Sequence, residues 1–417
     1  MASGMADHGG PPTAEPLGAD GDRRTVCLVG GTRPEGLKLA PVAMAMAERG
    51  RLRPVVVASG QHPTMFHQAI EAFDLRPDVA LRHPHPSDSQ PGLLSSLVTG
   101  LDPVLAEHQP DAVMVQGDTT TTLAAALAAF WRRLPVVHLE AGLRSWNLSA
   151  PFPEEANRKL VGQISSLHLA PTPAAVRNLD VDGIRGPGVL CIGNTVVDAA
   201  LTLSGRPIEY SDRRLLELEQ RSRSGNTRPV LVTVHRRESW GEPLRRVLAA
   251  VDTMVRLVPD IEVVLPAHPN PLVRGEVDRR LGSADRVMVT DPLPYRDLMR
   301  LLKVTTLVLS DSGGIQEEVA SFGVPVLVLR EVTERMEAIE AGFASLVGTD
   351  VDVIVGTATR VLTEPECHLS RPGTSNPFGD GLARYRAEQA VAWYLGLHGE
   401  PPAPFAPTGT TELVAAS

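Results

Sequence analysis

The chain has 417 residues, of which 43% are hydrophobic and 21% are charged, and its formal net charge is −9. This length exceeds one ordinary hydrophobic core, so we expect a soluble globular protein with two domains. The acidic charge argues against a nucleic-acid backbone or an anionic membrane as the main partner. No run of residues approaches the ~20 apolar residues that a membrane span requires.

The termini and the cysteines indicate where the protein works. Residues 1–24 lack the apolar segment of a signal peptide, and both this extension and the tail at 399–417 are predicted to be disordered. Cys27, Cys191 and Cys367 are far apart and form no CxxC pair. We therefore expect neither a zinc site nor a disulfide framework, and we expect a cytoplasmic location.

Short apolar runs alternate with amphipathic segments along most of the chain, in two series. The first series of predicted strands comprises residues 25–29, 54–58, 112–115, 136–139 and 189–192. The second series comprises residues 230–234, 262–265, 286–290, 307–309 and 324–329. The runs are continuous and rich in β-branched residues, which is typical of parallel sheets that are covered on both faces.

This alternation predicts an α/β fold made of two Rossmann-like doubly wound domains that face a cleft. We place the first domain at 25–203 and the second at 204–375. An amphipathic segment within 376–398 is expected to form a C-terminal helix that either caps the second domain or crosses back to the first. Ligands of open α/β sheets bind beyond the carboxyl ends of the strands, so polar residues directly after predicted strands are candidate site residues.

The first motif is GGTRPEGLK at residues 30–38, directly after the first predicted strand. Its glycines let the backbone approach a ligand closely, and Pro34 suits the first turn of a helix. Arg33 and Lys38 add positive charge near a helix N-terminus, which favours anions. The spacing matches neither GxGxxG nor a Walker A loop, which excludes a dinucleotide or P-loop assignment. A tight turn with surface charges is the alternative.

The second motif is a set of carboxylates at strand ends. Asp118 lies in QGDTTTT, Glu140 in HLEAGLR and Glu154 in PFPEEANR. Three acids that converge on one cleft favour general acid–base chemistry. Alternatively, Asp118 caps the following helix, and Glu154 and Glu155 are ordinary first-turn acids of another.

The third motif is SDSGGIQEE at residues 310–318, which ends one predicted strand and opens a helix. Ser312, Gly313 and Gly314 supply unencumbered N–H groups that suit a diphosphate. Glu318 lies further along that helix, where it could accept hydrogen bonds from ribose hydroxyls. A glycine-rich turn before an acid-capped helix is the alternative.

Histidines and one arginine complete the candidates. His235, in HRRES, follows the first strand of the second series and is either a ligand-binding or a structural histidine. Arg335, in TERMEA, either pairs with phosphate or is a solvated helix charge. His83 and His85 lie in a proline-rich loop without an acidic cluster, so we expect no metal site there.

These motifs belong to a longer series of segments. In chain order they read GTRPEGLKLAP, QGDTTTTLAAALAAF, HLEAGLRS, PFPEEANRK, IGNTVVDA, HRRES, SDSGGIQEE, TERMEA and NPFGDG. Together they resemble the signature blocks of the non-hydrolysing UDP-N-acetylglucosamine 2-epimerases, from about residue 25 to about residue 395. The resemblance implies two Rossmann-like domains of the glycosyltransferase-B type, a homodimer, UDP-N-acetylglucosamine and UDP as ligands, and no metal or nicotinamide cofactor.

The resemblance also implies roles for individual residues. The implied catalytic acids are Asp118, Glu140 and Glu154, and which of them deprotonates the sugar stays open. The implied substrate-binding residues of the first domain are Arg33, Lys38, Gln61, His62 and Arg158. Those of the second domain are His235, Leu293, Leu298, Ser312, Gly313, Gly314, Glu318 and Arg335. Of these, the two leucines are expected to lie near the uracil.

The implied reaction is reversible epimerisation at C2, which converts UDP-N-acetylglucosamine to UDP-N-acetylmannosamine by anti elimination of UDP through 2-acetamidoglucal and re-addition. Many bacterial members bind a second UDP-N-acetylglucosamine as an activator. Here the corresponding turn, GQHPTM at 60–65, keeps Gln61 and His62 but has altered neighbours, so we expect activation to be weak or absent. Three alternatives are a hydrolysing epimerase, a glycosyltransferase of the same fold and a non-catalytic sugar-nucleotide-binding protein, of which the three acids disfavour the last.

Overall fold

Two structural units are present in the computed structural model, which describes residues 23–82, 89–206, 209–236, 239–333, 335–364 and 376–407. The first unit runs to Ala199 and takes in Gly379–Ala406, and the second spans Ala200–Phe378. Our expected domain ends at 203 and 375 lie a few residues from these divisions. His83, His85 and Cys367 lie outside the described residues. In the part of the chain that the structure describes, no helix is long and apolar enough to cross a membrane.

Within its described residues, the first unit is built on a seven-stranded parallel sheet. Its strands are β1 (Arg24–Gly30), β2 (Leu52–Ala58), β3 (Val79–Ala80), β4 (Ala112–Gln116), β5 (Val136–Leu139), β6 (Leu167–Ala170) and β7 (Val189–Cys191). Its helices, the last of which spans the unit boundary, are α1 (Arg33–Arg49), α2 (Pro63–Glu71), α3 (Gln90–His108), α4 (Thr120–Trp131), α5 (Glu154–Ile164), α6 (Pro173–Val181) and α7 (Thr195–Ser204).

The second unit is built, within its described residues, on a six-stranded parallel sheet. Its strands are β8 (Arg228–Thr233), β9 (Ile261–Pro266), β10 (Val287–Thr290), β11 (Leu307–Ser310), β12 (Val326–Val328) and β13 (Ala344–Leu346). Its helices are α8 (Arg213–Arg223), α9 (Glu242–Leu257), α10 (Pro271–Leu281), α11 (Tyr295–Leu302), α12 (Gly313–Val319), α13 (Met336–Glu340) and α14 (Val351–Thr363).

The strand order fixes where a ligand can bind in each unit. The first sheet runs β3-β2-β1-β4-β5-β6-β7 and the second β10-β9-β8-β11-β12-β13, so the order reverses between β1 and β4 and between β8 and β11. Doubly wound sheets bind ligands at such a reversal, beyond the carboxyl ends of the strands. These ends carry GGTRPE and QGDT in the first unit, and His235, Arg236 and SDSGG in the second.

All ten predicted strands are present, but three observed strands, β3, β6 and β13, were not predicted. β3 has only two residues, and β6 and β13 contain no β-branched residue, so all three lack the continuous β-branched run that identified the others. Helix α8 lies in a stretch of mostly polar sequence, because only a narrow face of this helix is apolar. Leu215 and Leu218 on that face are buried, together with Glu219.

The C-terminal helix α15 (Ala383–Tyr394) belongs to the first unit and packs on α1 and β6. Its first turn is held by Asp198 of α7, whose carboxylate accepts hydrogen bonds from the N–H groups of Ala383 at 3.2 Å and Arg384 at 3.1 Å. Further along, the fully buried Glu388 accepts from the Arg51 guanidinium at 2.6 Å. Buried carboxylates therefore hold this helix at its first turn and near its middle.

The segment after α15 differs from the expectation of a disordered tail from residue 399. Phe405 is only 4% exposed, and its N–H donates to the carbonyl of Cys191 at 2.8 Å. The Arg386 guanidinium also lies 5.8 Å from the centre of the Phe405 ring. One aromatic side chain thus secures a proline-rich stretch whose composition alone indicates disorder.

We expect Asp198→Asn to remove a pH dependence of stability. Burial raises the pKa of the Asp198 carboxyl to about 6, despite hydrogen bonds from the Arg384 and Ala383 N–H groups. At pH values above 3.8, the ordinary pKa of an aspartate carboxyl, the folded state therefore binds more protons than the unfolded state. The contribution of Asp198 to the free energy of unfolding falls as pH rises to about 6, by about 3 kcal/mol.

The measurement is the difference in urea-unfolding free energy between wild type and variant, at several pH values between about 4 and 7. Asp380→Asn is the control. Its side-chain hydrogen bond with Arg386 lowers the pKa of Asp380, so its contribution is lost as pH falls instead. A pH-independent difference for Asp198→Asn would contradict the prediction.

Candidate active site

Glu35, in the first turn of α1, connects the loops that follow β1 and β4. Its carboxylate accepts hydrogen bonds from the Gly31 N–H at 3.0 Å and the Thr32 N–H at 2.7 Å. Its other oxygen accepts from the Thr119 hydroxyl at 2.7 Å. Burial raises the pKa of the Glu35 carboxyl, against the effect of these hydrogen bonds. Glu35 was not among the predicted residues, although it lies inside GGTRPEGLK.

Glu140 directly follows β5 and forms a buried polar cluster with two other side chains. One carboxylate oxygen lies 2.5 Å from the Lys38 ammonium and 2.5 Å from the Gln116 amide nitrogen. The Lys38 and Glu140 side chains are 9% and 8% exposed. Glu140 has a φ of 65°, a left-handed conformation that costs energy in a non-glycine residue and is concentrated at functional sites. The structure thus joins two predicted residues, Lys38 and Glu140, which are far apart in sequence.

Asp118 lies in the turn after β4 and is held by α5. Its carboxylate pairs with the Arg158 guanidinium at 2.6 Å, and its carbonyl accepts from the Asn157 amide at 2.8 Å. The alternative role of a helix cap is wrong, because the N-cap of α4 is Thr119, whose hydroxyl accepts from the Thr122 N–H at 3.1 Å. The Asp118 carboxylate is therefore available for another role.

Glu154 is the first residue of α5 and is half-buried. Within the described residues, its carboxylate makes no hydrogen bond or ion pair. The neighbouring Glu155 is fully buried and accepts from the Ser145 N–H at 3.0 Å and the Trp146 N–H at 3.2 Å. Of these two adjacent acids, Glu155 therefore has a structural role in the loop after β5. Glu154 is not bonded to the Lys38–Glu140 cluster.

Three other predicted residues of the first unit lie around the loop after β1. Arg33 is the first residue of α1 and is half-buried. The Gln61 side-chain oxygen accepts from the Thr121 hydroxyl at 2.7 Å, next to the start of α4. The His62 side chain is exposed, while its N–H donates to the Gly31 carbonyl at 2.8 Å. The GQH turn therefore packs on the glycine pair of GGTRPE.

In the second unit, the buried Asp311 organises the loop after β8. It accepts from the His235 N–H at 3.1 Å and the Arg236 N–H at 3.0 Å, and lies 3.2 Å from the His235 ring nitrogen Nδ1. Burial opposes ionisation of this carboxyl, but the hydrogen bonds from His235 and Arg236 hold its pKa below the ordinary value. The His235 side chain remains 49% exposed at the strand end.

The glycine turn at the start of α12 is flanked by two arginines. A side-chain carbon placed on Gly313 would lie 3.9 Å from the Arg335 guanidinium carbon and 4.0 Å from an Arg236 guanidinium nitrogen. Arg335 also pairs with Glu317 at 2.6 Å, so it is not simply a solvated charge. Ser312 is the N-cap of α12, and its hydroxyl accepts from the Ile315 N–H at 3.5 Å. Two positive charges beside a glycine turn at a helix N-terminus suit a phosphate.

The remaining predicted residues lie in α12 itself or in and just before the preceding helix, α11. Gly314 follows Gly313 in α12, and Glu318 in the same helix is 7% exposed. Leu293 is 9% exposed and Leu298, in α11, is half-buried. The structure places these leucines at the two sides of the start of α11.

Sequence reasoning missed Glu35, Gln116, Asn157, Arg236 and Asp311. Each lies within or next to a motif that was identified from the sequence. The motifs were therefore found, but the hydrogen bonds and ion pairs of their residues were not. A polar residue at a position expected to be buried would have been the useful signal, because a buried polar side chain requires a hydrogen-bond partner. Finding that partner requires the strand order.

Comparison with known proteins identifies the family. The family model for UDP-N-acetylglucosamine 2-epimerase matches residues 44–392. A UDP-N-acetylglucosamine 2-epimerase of Yersinia pestis is 40% identical over 368 residues, which cover 88% of this chain and 98% of that protein.

Two solved structures are similar to this chain over most of its length. The complex of S. aureus MnaA with UDP has a TM-score of 0.82 at 36% identity and covers 92% of this chain and 100% of its own. The Neisseria meningitidis UDP-GlcNAc 2-epimerase bound to UDP-GlcNAc has a TM-score of 0.76 at 36% identity, with 87% and 97% covered. The predicted fold class, two Rossmann-like domains of the glycosyltransferase-B type, is confirmed. The chain belongs to the UDP-N-acetylglucosamine 2-epimerase family.

Proposed function

We propose that this protein interconverts UDP-N-acetylglucosamine and UDP-N-acetylmannosamine at C2 without net hydrolysis. Membership of the family and the UDP and UDP-GlcNAc ligands of related structures support the substrate. The observation that carries the proposal is the buried contact of Glu140 with Lys38, at the end of a central strand. This contact fixes a carboxyl group at the strand end, and the proposed proton exchange at C2 requires such a group as acid or base.

The proposed first step is an elimination. The C2 hydrogen is not adjacent to a carbonyl in the ring, so a carbanion at C2 would be too unstable to form. Instead, a carboxylate removes the C2 proton while the bond between C1 and the diphosphate oxygen breaks. UDP leaves with that electron pair, and the double bond of 2-acetamidoglucal forms between C1 and C2.

The proposed second step reverses the first on the other face of C2. A carboxylic acid delivers a proton to C2, and the diphosphate oxygen of UDP adds back to C1. The step needs one base and one acid, and Asp118, Glu140 and Glu154 supply three carboxyl groups at the ends of β4 and β5 and the start of α5. Together the two steps return every proton and electron pair that they remove, and they use no added oxidant, metal or nicotinamide.

The second unit has the complementary role of holding UDP. The charge on the leaving diphosphate increases as the bond to C1 breaks, so fixed positive groups lower the barrier. Arg335 and Arg236 flank the Gly313 turn, and His235 lies at the adjacent strand end. Retention of UDP in this site is what allows re-addition in preference to hydrolysis.

The test is proton NMR of UDP-N-acetylglucosamine with the purified enzyme in deuterium oxide. We expect the manno epimer with solvent deuterium at C2, because the base exchanges its proton with water before re-addition. Prolonged incubation should release a little UDP and 2-acetamidoglucal, since the intermediate occasionally escapes. Full retention of the C2 hydrogen would contradict elimination with exchange. Stoichiometric UDP and free N-acetylmannosamine would identify a hydrolysing enzyme instead.

The homodimer that the resemblance implies and the cytoplasmic location that the cysteine pattern indicates are part of the same proposal. Light scattering coupled to size-exclusion chromatography measures the first directly, and a monomer under assay conditions would contradict it.

A further inference from the structure

His138 of β5 lies directly beside the turn that carries Asp118. Its side chain is buried, with 1% exposed, and its ring nitrogen Nε2 lies 2.8 Å from the Gly117 carbonyl. That carbonyl belongs to the peptide that enters Asp118. We infer that His138 is a positioning residue that fixes the orientation of the Asp118 carboxylate. This inference rests on the proposed function, in which Asp118 is one of the acids that exchange protons with the sugar.

The hydrogen bond requires one form of the imidazole. A carbonyl oxygen only accepts, so Nε2 must carry the hydrogen. Burial lowers the pKa of His138 to about 3, so the ring is neutral and Nδ1 is bare. Within the described residues, Nδ1 has no hydrogen-bond partner. A buried acceptor without a partner is unfavourable, so a histidine here contributes little to stability beyond its one hydrogen bond.

The turn needs such a hydrogen bond because of its glycine. Gly117 has a φ of 72°, and a glycine can take many other conformations at little cost. Its N–H is held by the Leu139 carbonyl at 3.0 Å, and His138 holds its carbonyl. Without His138 the peptide between Gly117 and Asp118 could rotate, which would redirect the Asp118 side chain.

The other side of Asp118 is already fixed. Asn157 donates to the Asp118 carbonyl at 2.8 Å, and Arg158 pairs with the carboxylate at 2.6 Å. The peptides before and after Asp118 are thus each held by a buried side chain from a different element, β5 and α5. His138 is the contact that a single substitution can remove without touching the carboxylate or its ion pair.

The test compares His138→Leu, which has no donor, with His138→Gln, whose amide can donate from nearly the same place. We expect the leucine variant to lose about 10- to 100-fold in kcat, with KM unchanged within about threefold, because small misplacements of a reacting group are costly. Glutamine should restore most of kcat. His168→Leu is the matched control, since His168 is the buried cross-strand neighbour of His138 on β6.

A double-mutant cycle separates positioning from stability. In an Asp118→Asn background, His138→Leu should slow turnover little further, because the group that it positions is already disabled. An equal loss in both backgrounds, or equal losses for leucine and glutamine, would overturn the inference. Wild-type enzyme that does not epimerise the substrate would reject the proposed function, whereas active wild type with unimpaired His138→Leu rejects only this inference.

A measurement on the wild-type protein covers the case in which the leucine variant does not fold. Nitrogen-15 NMR of the histidine side chains reports which ring nitrogen carries the hydrogen. We expect one neutral imidazole with its hydrogen on Nε2, at neutral pH, that stays protected from exchange. A His138 ring with its hydrogen on Nδ1 could not donate to the Gly117 carbonyl and would overturn the inference.

Discussion

Glu140→Gln is expected to lower kcat by at least about 100-fold, the usual scale for the loss of a general acid or base. Glutamine keeps the size of the side chain but cannot take up or release a proton. Its amide also removes the ion pair with Lys38 at 2.5 Å. Affinity for UDP should stay within about threefold, because UDP is proposed to bind through the second unit.

The same substitution at the other two acids tests the whole assignment. Asp118→Asn and Glu154→Gln should each lower kcat at least about 100-fold as well. Turnover is measured by NMR and UDP affinity by calorimetry. Glu107→Gln makes the same change of charge at an exposed position of α3 and serves as the control. Wild-type turnover in all three variants would refute the assignment of catalytic acids.

Arg335→Met is expected to weaken UDP binding by about 10- to 100-fold, as the loss of hydrogen bonds to a charged group implies. The guanidinium lies beside the Gly313 turn and is 15% exposed, so its charge is poorly screened. KM for the sugar nucleotide should rise accordingly. Arg335→Lys should have a smaller effect, because lysine keeps the charge but not the planar fork.

Two measurements make this result specific. Arg256→Met removes the same charge from an exposed position in the last turn of α9, which leads to the amino end of β9, and should leave UDP affinity unchanged. Circular dichroism checks folding, because removal of Arg335 takes away the ion-pair partner of the buried Glu317. Normal UDP affinity in folded Arg335→Met would exclude this arginine from the phosphate site.

The sequence by itself determined the fold class and the family. The ten predicted strands are all present because strands covered on both faces leave continuous apolar runs, a local signal. The strand-end motifs were equally local, since GGTRPEGLK and SDSGGIQEE each run from the last residue of a strand into the next helix. β6 and β13 contain no β-branched residue, so they lack the run that identified the predicted strands and were missed.

Only the tertiary structure decided which of these residues meet. Lys38 and Glu140 are 102 residues apart, and they touch because the sheet order places β1, β4 and β5 side by side. Asp118 reads as a helix cap in sequence, yet Thr119 caps the helix and leaves Asp118 to pair with Arg158. Local periodicity specifies elements but contains no information on their order in the sheet, and that order sets the contacts of every buried polar group.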